Sequence, residues 1–333
     1  MNHPSVVLSG SHLTPAQAVG EKLKEHSWPV NYFSSKSAKF NRHQLFLSSL
    51  SLFKLPVSIF KSWYYLVKLK PKVVVSFGGF SALPVCVAAK LLGLPLIIHE
   101  QTFAAGLTSR ITALIADKIA ISWLESQRYF PKKKTVLTGN PLRQEILNLY
   151  CPTPSVLRPV IFITAGHQGS KFINQTVAEI LPKLLLKYKV YHQFGLIQSS
   201  ASWERERQFQ HPQYILKRWF SAPELASILR QASLVISRSG INTVTELAYL
   251  SKPAILIPLL TAQKNEQLTN ARFLKSLGLA IILSQKQLTG AKLQKTITKA
   301  LRCLPQASTR KLDFSLVANA ADNLYQVIRP FLP

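Results

Sequence analysis

Short runs of β-branched and leucine residues punctuate the chain at 6–8, 73–75, 96–98, 118–121, 136–138, 160–164, 190–193, 234–237, 254–257 and 280–283, and helix-length segments lie between many of them. Strands alternating with helical patterns predict βαβ units and parallel sheets, an α/β fold. The stretch "LYCPTPSVLRP" (149–159) carries three prolines and no periodicity, which marks a linker. The pattern therefore divides into an N-terminal domain (1–150), a C-terminal domain (151–314) and a terminal helix (315–333) that could pack back on the N-terminal domain. In such folds ligands bind outside the carboxyl ends of the strands, so chemistry is sought in the loops that follow strands.

One helical pattern needs a direction. Phe60, Trp63, Tyr64 and Val67 share a face at helical spacing and lead into a strand, so that face is expected to be core.

Length and charge sharpen the picture. At 333 residues the chain exceeds one typical domain, and 41 Lys and Arg against 14 Asp and Glu leave a net charge of +27. That excess implies an anionic partner, but the basic residues are spread thinly and no nucleic-acid module appears, which argues against nucleic acid. From His26 to His99 there are nine Lys or Arg and no acid. Within that stretch Leu45, Phe46, Leu50, Leu52 and Phe53, ringed by Arg42, Lys54 and Lys61, are the expected contact with an anionic membrane surface. The uncharged stretch 73–89 is divided by Gly78, Gly79 and Pro84 and is shorter than a spanning helix needs. The N-terminus lacks the pattern of a signal peptide, so a cytoplasmic location is expected.

Cys86, Cys151 and Cys303 show no metal or redox spacing, and no acids cluster at metal-ligand spacing. No metal and no cofactor is expected.

Six loops carry candidate chemistry. "SGSHLTPA" sets Gly10 and His12 at a strand-to-helix turn, which composition alone reads first as a turn with a surface histidine and second as a neutral imidazole placed to accept a proton. "SFGGFSALP" sets Gly78 and Gly79 after a strand, which suits backbone N–H contacts to an anion and equally a tight turn. "LIIHEQTF" ends a buried strand with His99, Glu100 and Gln101, polar groups that need partners. "ITAGHQGSKF" is strand, glycine-rich loop and helix. "NEQLTNA" holds Glu266, Gln267 and Asn270 where a loop turns into a helix. "SRSGINTVTELAY" places Glu246 in the first turns of a helix, where it either answers the macrodipole or accepts the two hydroxyls of a ribose.

These loops, in this order, resemble the MurG family of UDP-N-acetylglucosamine:lipid I N-acetylglucosaminyltransferases. The likeness runs through "SGSHLTPA", "KPKVVVSFGGFSALP", "GLPLIIHEQTFAAGLTSR", "LTGNPLRQEIL", "ITAGHQGSKFINQ", "YHQFG", "SRSGINTVTELAYLSKPAILIPL" and "NEQLTNA". It implies a GT-B fold of two Rossmann-like domains whose parallel sheets face a cleft. It further implies inverting, metal-independent transfer of N-acetylglucosamine from UDP-N-acetylglucosamine to the undecaprenyl-diphosphate-linked acceptor lipid I, at the cytoplasmic face of the inner membrane, in peptidoglycan synthesis.

By motif match, the donor site comprises Arg143, Gly166, His167, Gln168, Gly169, Ser239, Gly240, Glu246, Gln267 and Asn270, with uracil contacts from the backbone of 220–225. The acceptor site comprises Gly10, Ser11, Thr14, Gly78, Gly79, Gln101 and Thr102, with His12 and Glu100 as catalytic groups. The chain departs from the family at several of these points. Leu8-Ser9-Gly10-Ser11 replaces a glycine-rich acceptor loop, Thr102 an asparagine, His167 a serine and Ser170 an alanine. A UDP-sugar transferase with another lipid acceptor, or an inactive membrane-bound relative acting as a scaffold, are the alternative readings.

Overall fold

A computed structural model describes residues 5–11, 13–33, 55–149, 158–259, 265–304 and 314–333. The membrane positions Leu45 to Phe53 and the proposed base His12 lie outside the described residues. The chain forms two compact units: Met1–Arg143 together with Asp313–Pro333, and Gln144–Leu312.

The N-terminal unit is built on six parallel strands, β1 (Val6–Ser9), β2 (Val30–Phe33), β3 (Val73–Ser76), β4 (Leu96–Glu100), β5 (Lys118–Ile121) and β6 (Thr135–Leu137), in the order β2-β1-β3-β4-β5-β6. Every residue of β1, β3 and β4 is buried, as strands covered by helices on both faces require. The second unit holds β7 (Val160–Thr164), β8 (Lys189–Gln193), β9 (Tyr214–Lys217), β10 (Ala232–Ser237), β11 (Ala254–Leu256) and β12 (Ala280–Ile282), in the order β12-β11-β10-β7-β8-β9, also all parallel. Strands β2 and β9 were not expected from the sequence. Both are edge strands of mixed burial, "VNYF" and "YILK", without the apolar run that marks their neighbours.

Each strand order contains a point where successive connections diverge to opposite sides: between β1 and β3 in the first sheet, and between β7 and β10 in the second. Register aligns the strand ends there, pairing Ser9 with Ser76 and Thr164 with Ser237. The loops after those four strands therefore emerge side by side within each unit.

The terminal helix Ala320–Ile328 packs on the first helix, Leu13–Glu25. Lys22 pairs with Asp322 at 2.6 Å, the rings of His26 and Tyr325 stack at 4.1 Å, and Leu324 and Ile328 join the core of Val6 and Leu8. The unit boundary falls at Arg143/Gln144, ahead of the 150/151 division read from the prolines. The short helix Gln144–Leu147 packs on the helix Ala222–Gln231, and Tyr249 donates to the Leu147 carbonyl at 3.3 Å.

Helix Leu55–Leu69 corrects one expectation. Its buried residues are Ser62 and Leu66, while Phe60 is 65 % and Tyr64 52 % exposed, with Trp63 and Val67 exposed beside them. Helical spacing reveals an apolar stripe but not which of two stripes turns inward. Here Ile59, Tyr65 and Leu69 pack with Leu66 on the core, and Ser62 sits dry because its hydroxyl donates to the Ser58 carbonyl at 2.8 Å.

Candidate functional site

In the C-terminal unit the loop after β7 runs from Ala165 to Ser170 and opens the helix Lys171–Leu185. Gly166 and Gly169 both take positive φ, 70° and 73°. Gly169 is also confined: a Cβ there would lie 2.2 Å from the Phe194 carbonyl oxygen and 3.0 Å from the Cα of Gly195. Close approach of two glycines thus seats this loop against the loop after β8. The contact is completed by Leu196, whose N–H donates to the His167 carbonyl at 2.9 Å, and by Gln198, whose Nε2 donates to the Gln168 carbonyl at 2.9 Å. The His167 ring meets Trp219 edge-on at 5.5 Å.

Across the switch point, the loop after β10 opens the helix Ile241–Tyr249 at Gly240, with no side-chain cap, and a Cβ at Gly240 would meet nothing within 4 Å. A helix start without a side-chain cap can present N–H donors to an anion. Glu246 is 5 % exposed and lies about one and a half turns into this helix, not in its first turn. The macrodipole acts within the first turn, so it does not account for a buried carboxylate placed deeper.

Two side chains hold this loop in place, and a third holds the loop after β11 beside it. Ser239 donates to the Gln267 carbonyl at 2.7 Å, Asn270 donates from Nδ2 to the Ser239 carbonyl at 3.0 Å, and Gln267 accepts at Oε1 from the Leu259 N–H at 2.9 Å. Gln267 and Asn270 therefore shape the loop after β10 from the helix Glu266–Ser276, whose first residue is Glu266.

Sequence reasoning missed Arg238. Its Nη2 donates to the Ser170 hydroxyl at 2.8 Å and its Nη1 to the Ile257 carbonyl at 3.0 Å, so one guanidinium ties together the loops after β7, β10 and β11. Burial lowers its pKa, and among the described residues it pairs with no carboxylate. The arginine stood in the quoted "SRSG", but a strand-end turn disguised it. Gln193 was missed too: from the end of β8 it donates to Thr164 Oγ1 at 3.0 Å and accepts from the Phe220 N–H at 3.2 Å. With the Ser221 N–H given to Glu224 at 2.9 Å and the Leu225 N–H to the Ser221 carbonyl at 2.9 Å, at least three of the backbone donors in 220–225 are already engaged within the fold.

In the N-terminal unit the loops after β1 and β3 close on one another. The Ser11 N–H donates to the Gly78 carbonyl at 3.1 Å, and a Cβ on Gly10 would lie 2.8 Å from that oxygen. A Cβ on Gly79 would collide with the Ser11 hydroxyl, so Gly10, Ser11, Gly78 and Gly79 form one glycine-dependent junction at the switch point. Thr14 stands in the first turn of the helix that follows.

Glu100 is committed to its own loop. Its Oε1 accepts from the Thr102 N–H at 2.9 Å and hydroxyl at 2.6 Å, and its Oε2 from the Gly106 N–H at 3.1 Å. Three donors fold 100–106 around the carboxylate, and Thr102 supplies two of them. Beside it the side-chain amide of Gln101 is buried with no hydrogen-bond partner among the described residues. An orphaned amide of this kind is costly unless something polar arrives. His99 bridges β4 to the Gly139 carbonyl at 3.2 Å and to Ser122 at 3.2 Å, a structural tie between strand ends. Arg143 ends the first segment of the N-terminal unit.

Comparison with known proteins matches both halves of the chain to one family. Residues 37–121 match the glycosyltransferase family 28 N-terminal domain and residues 160–324 its C-terminal domain. A UDP-N-acetylglucosamine--N-acetylmuramyl-(pentapeptide) pyrophosphoryl-undecaprenol N-acetylglucosamine transferase of Bacillus thuringiensis (strain Al Hakam) is 31 % identical over 307 residues, 84 % of this chain and 86 % of the relative. The enzyme of the same name from Clostridium perfringens (strain SM101 / Type A) is 30 % identical over 96 % of this chain and 95 % of its own. Among solved structures, Acinetobacter baumannii MurG superposes with a TM-score of 0.69 at 25 % identity, covering 98 % of this chain and all of that one. A Staphylococcus aureus MnaA–UDP co-structure superposes at 0.70 with 12 % identity, a likeness of fold alone.

Proposed function

The chain belongs to the MurG family of glycosyltransferases, and from that premise we propose that it transfers N-acetylglucosamine from UDP-N-acetylglucosamine to lipid I, forming lipid II for peptidoglycan. The observation that carries the donor half is the switch point between β7 and β10. A glycine-rich loop, an uncapped helix start, a half-buried guanidinium without a carboxylate and a buried Glu246 occur there within one unit.

Each group has a physical task in this reading. Glu246 accepts hydrogen bonds from the ribose hydroxyls, charge-assisted bonds of about 1.5–3 kcal/mol. Gly166, Gly169 and the N–H groups following Gly240 receive the diphosphate. Arg238 supplies positive charge that is in place before the bond to the sugar breaks, which stabilises the leaving group without reorganisation. His167 stands at the mouth of this loop with Gln168. Arg143 is assigned to the diphosphate by motif likeness. These charges are proton-independent and fixed, so the account needs no divalent ion at the leaving group.

The acceptor belongs to the N-terminal unit. The junction of Gly10, Ser11, Gly78 and Gly79 brings backbone against backbone, and Gln101 holds out an unsatisfied amide. His12, one residue beyond this junction, removes the proton from the acceptor hydroxyl as that oxygen attacks the anomeric carbon from the face opposite UDP, giving inversion. Glu100 and Thr102 fix the loop that carries Gln101.

No helix among the described residues is long and apolar enough to cross a membrane. The exposed Phe60, Trp63, Tyr64 and Val67 line one side of helix Leu55–Leu69, and Leu55, Pro56, Ile59, Phe60, Trp63 and Leu91 line an apolar groove of about 440 Å³. Lys61 and Lys68 on this helix, and Lys70 and Lys72 just after it, are exposed. Aromatic side chains with a lysine rim suit an anionic lipid surface, each lysine adding about 1 kcal/mol. This face is the proposed peripheral contact with the cytoplasmic leaflet, where the lipid-linked acceptor is met.

Offering UDP-N-acetylglucosamine with either lipid I or diacylglycerol tests the acceptor assignment. Transfer to lipid I supports it, and transfer to diacylglycerol alone favours the alternative of a different lipid acceptor.

A further inference from the structure

A chain of hydrogen bonds runs through the C-terminal unit from a half-buried carboxylate to the backbone beside the loop after β7. It links Glu206 on helix Ser200–Arg207, Tyr214 on β9, His192 on β8 and Asn174 on helix Lys171–Leu185, and ends on the Phe194 carbonyl. His192, Asn174 and Phe194 are at most 4 % exposed. The Phe194 carbonyl oxygen is also the atom against which Gly169 packs, so whatever fixes that carbonyl fixes the seat of the glycine-rich loop.

Donors and acceptors follow in order along this chain. A carbonyl only accepts, so the Asn174 atom 3.1 Å from the Phe194 oxygen is Nδ2, and Oδ1 faces His192 Nε2 at 3.2 Å. Nε2 therefore carries a hydrogen, and in a neutral imidazole Nδ1 is then an acceptor. Its partner is the Tyr214 hydroxyl at 2.9 Å, which has one hydrogen to give. The same hydroxyl stands 3.3 Å from Glu206 Oε1. One phenolic hydrogen thus faces two acceptors whenever Glu206 is ionised, and only a carboxylic acid, donating to the Tyr214 oxygen, lets every link be made.

His192 does not supply the missing proton, because burial holds its pKa at about 3. Burial raises the pKa of Glu206 above the ordinary 4.5, against the weaker opposing pull of Tyr214 and of Arg205 on its own helix. From helix Lys171–Leu185, Lys171 and Glu179 line the same surface hollow as Glu206, with a Glu179 oxygen lying against Gly290. Ionisation of Glu206 draws the Tyr214 hydrogen to the carboxylate. His192 then answers by carrying its own hydrogen on Nδ1, and Asn174 Oδ1 loses its donor.

We infer that Glu206, Tyr214, His192 and Asn174 are positioning residues for the proposed donor loop, which they seat while Glu206 carries a proton and loosen once it ionises. The inference rests on the reading of that loop as the donor site, but the seat itself is observable without a ligand. The Leu196 N–H donates to the His167 carbonyl across the contact between the loops after β7 and β8, so protection of that amide reports the seat.

Amide hydrogen exchange of the full chain, corrected for the intrinsic rate at each pH, is followed at Leu196 from about pH 5 to about pH 8. Protection is expected to fall about tenfold as pH rises through the Glu206 pKa, as the loss of one buried hydrogen bond implies. Glu206→Gln, whose amide donates as the acid does, is expected to hold the acid-side protection throughout, and Tyr214→Phe to lose the pH dependence. Affinity for UDP-N-acetylglucosamine, whose diphosphate is esterified at both ends and does not titrate in this range, is expected to follow the wild-type curve and to become level in both variants. Leu196 protection that is flat in the wild type, or that keeps its slope in either variant, overturns the inference, as does donor affinity that stays level while protection changes. Protection that follows the expected curve without binding of UDP-N-acetylglucosamine at any pH supports the proton-held seat and contradicts the donor reading alone.

Discussion

The guanidinium of Arg238 donates to the hydroxyl of Ser170 at 2.8 Å, which joins the loop after β10 to the residue that opens the helix after β7. The same Ser170 oxygen accepts from the Ile173 N–H at 3.4 Å as a helix cap. Replacing Arg238 by Met removes a fork of donors from the proposed diphosphate position, and UDP affinity is expected to fall about ten- to a hundredfold. Replacing it by Lys keeps the charge but not the two-pronged geometry, so about tenfold loss is expected there as well. Titration calorimetry with UDP reads both.

Glu246 is buried in the middle of its helix, where a macrodipole contribution is small. Glu246→Gln is expected to weaken UDP binding about ten- to a hundredfold, and to weaken binding of a 2′,3′-dideoxy UDP analogue hardly at all. Equal losses for the two ligands in a folded variant would assign the carboxylate to the fold instead of the ribose.

The exposed face of helix Leu55–Leu69 leads to a prediction about lipid. Phe60→Ser with Trp63→Ser removes two aromatic side chains of about 1.5–3 kcal/mol each when buried, so vesicle affinity is expected to fall at least about tenfold. Co-sedimentation with phosphatidylglycerol vesicles measures it, and added salt is expected to release the wild type. Equal recovery of wild type and variant would place the contact elsewhere in the chain.

His192 supplies a pH signature. Burial holds its folded pKa at about 3, below the ordinary value near 6.5, so the unfolded chain takes up a proton that the folded chain refuses. Stability from this residue is therefore complete above about pH 6.5 and declines as pH falls toward 3, by up to about 1.4 kcal/mol per pH unit. Urea midpoints measured across that window are expected to fall with acid, and the slope is expected to flatten in His192→Gln.

Most of this architecture could be read from the chain because buried parallel strands are continuous apolar runs. Strands β2 and β9 could not, since an edge strand is half exposed and its composition resembles a loop. The site loops were legible as strand-end glycine turns, but their internal wiring was not. That Glu100 folds its own loop through Thr102 and Gly106, and that Arg238 reaches Ser170 across 68 positions, depends on tertiary placement that no local pattern encodes. The inward stripe of helix Leu55–Leu69 was misread for a related reason. Ser62 is buried and Phe60 exposed, and only the neighbouring core shows which side the helix turns inward.

The most direct test of the central claim is transfer itself. Purified protein is incubated with lipid I and UDP-N-acetylglucosamine in detergent or anionic vesicles, and product mass and released UDP are both quantified. The account predicts a lipid product heavier by one N-acetylhexosamine residue, with one UDP released for each product formed. No product from lipid I, in protein shown to bind UDP, would contradict it.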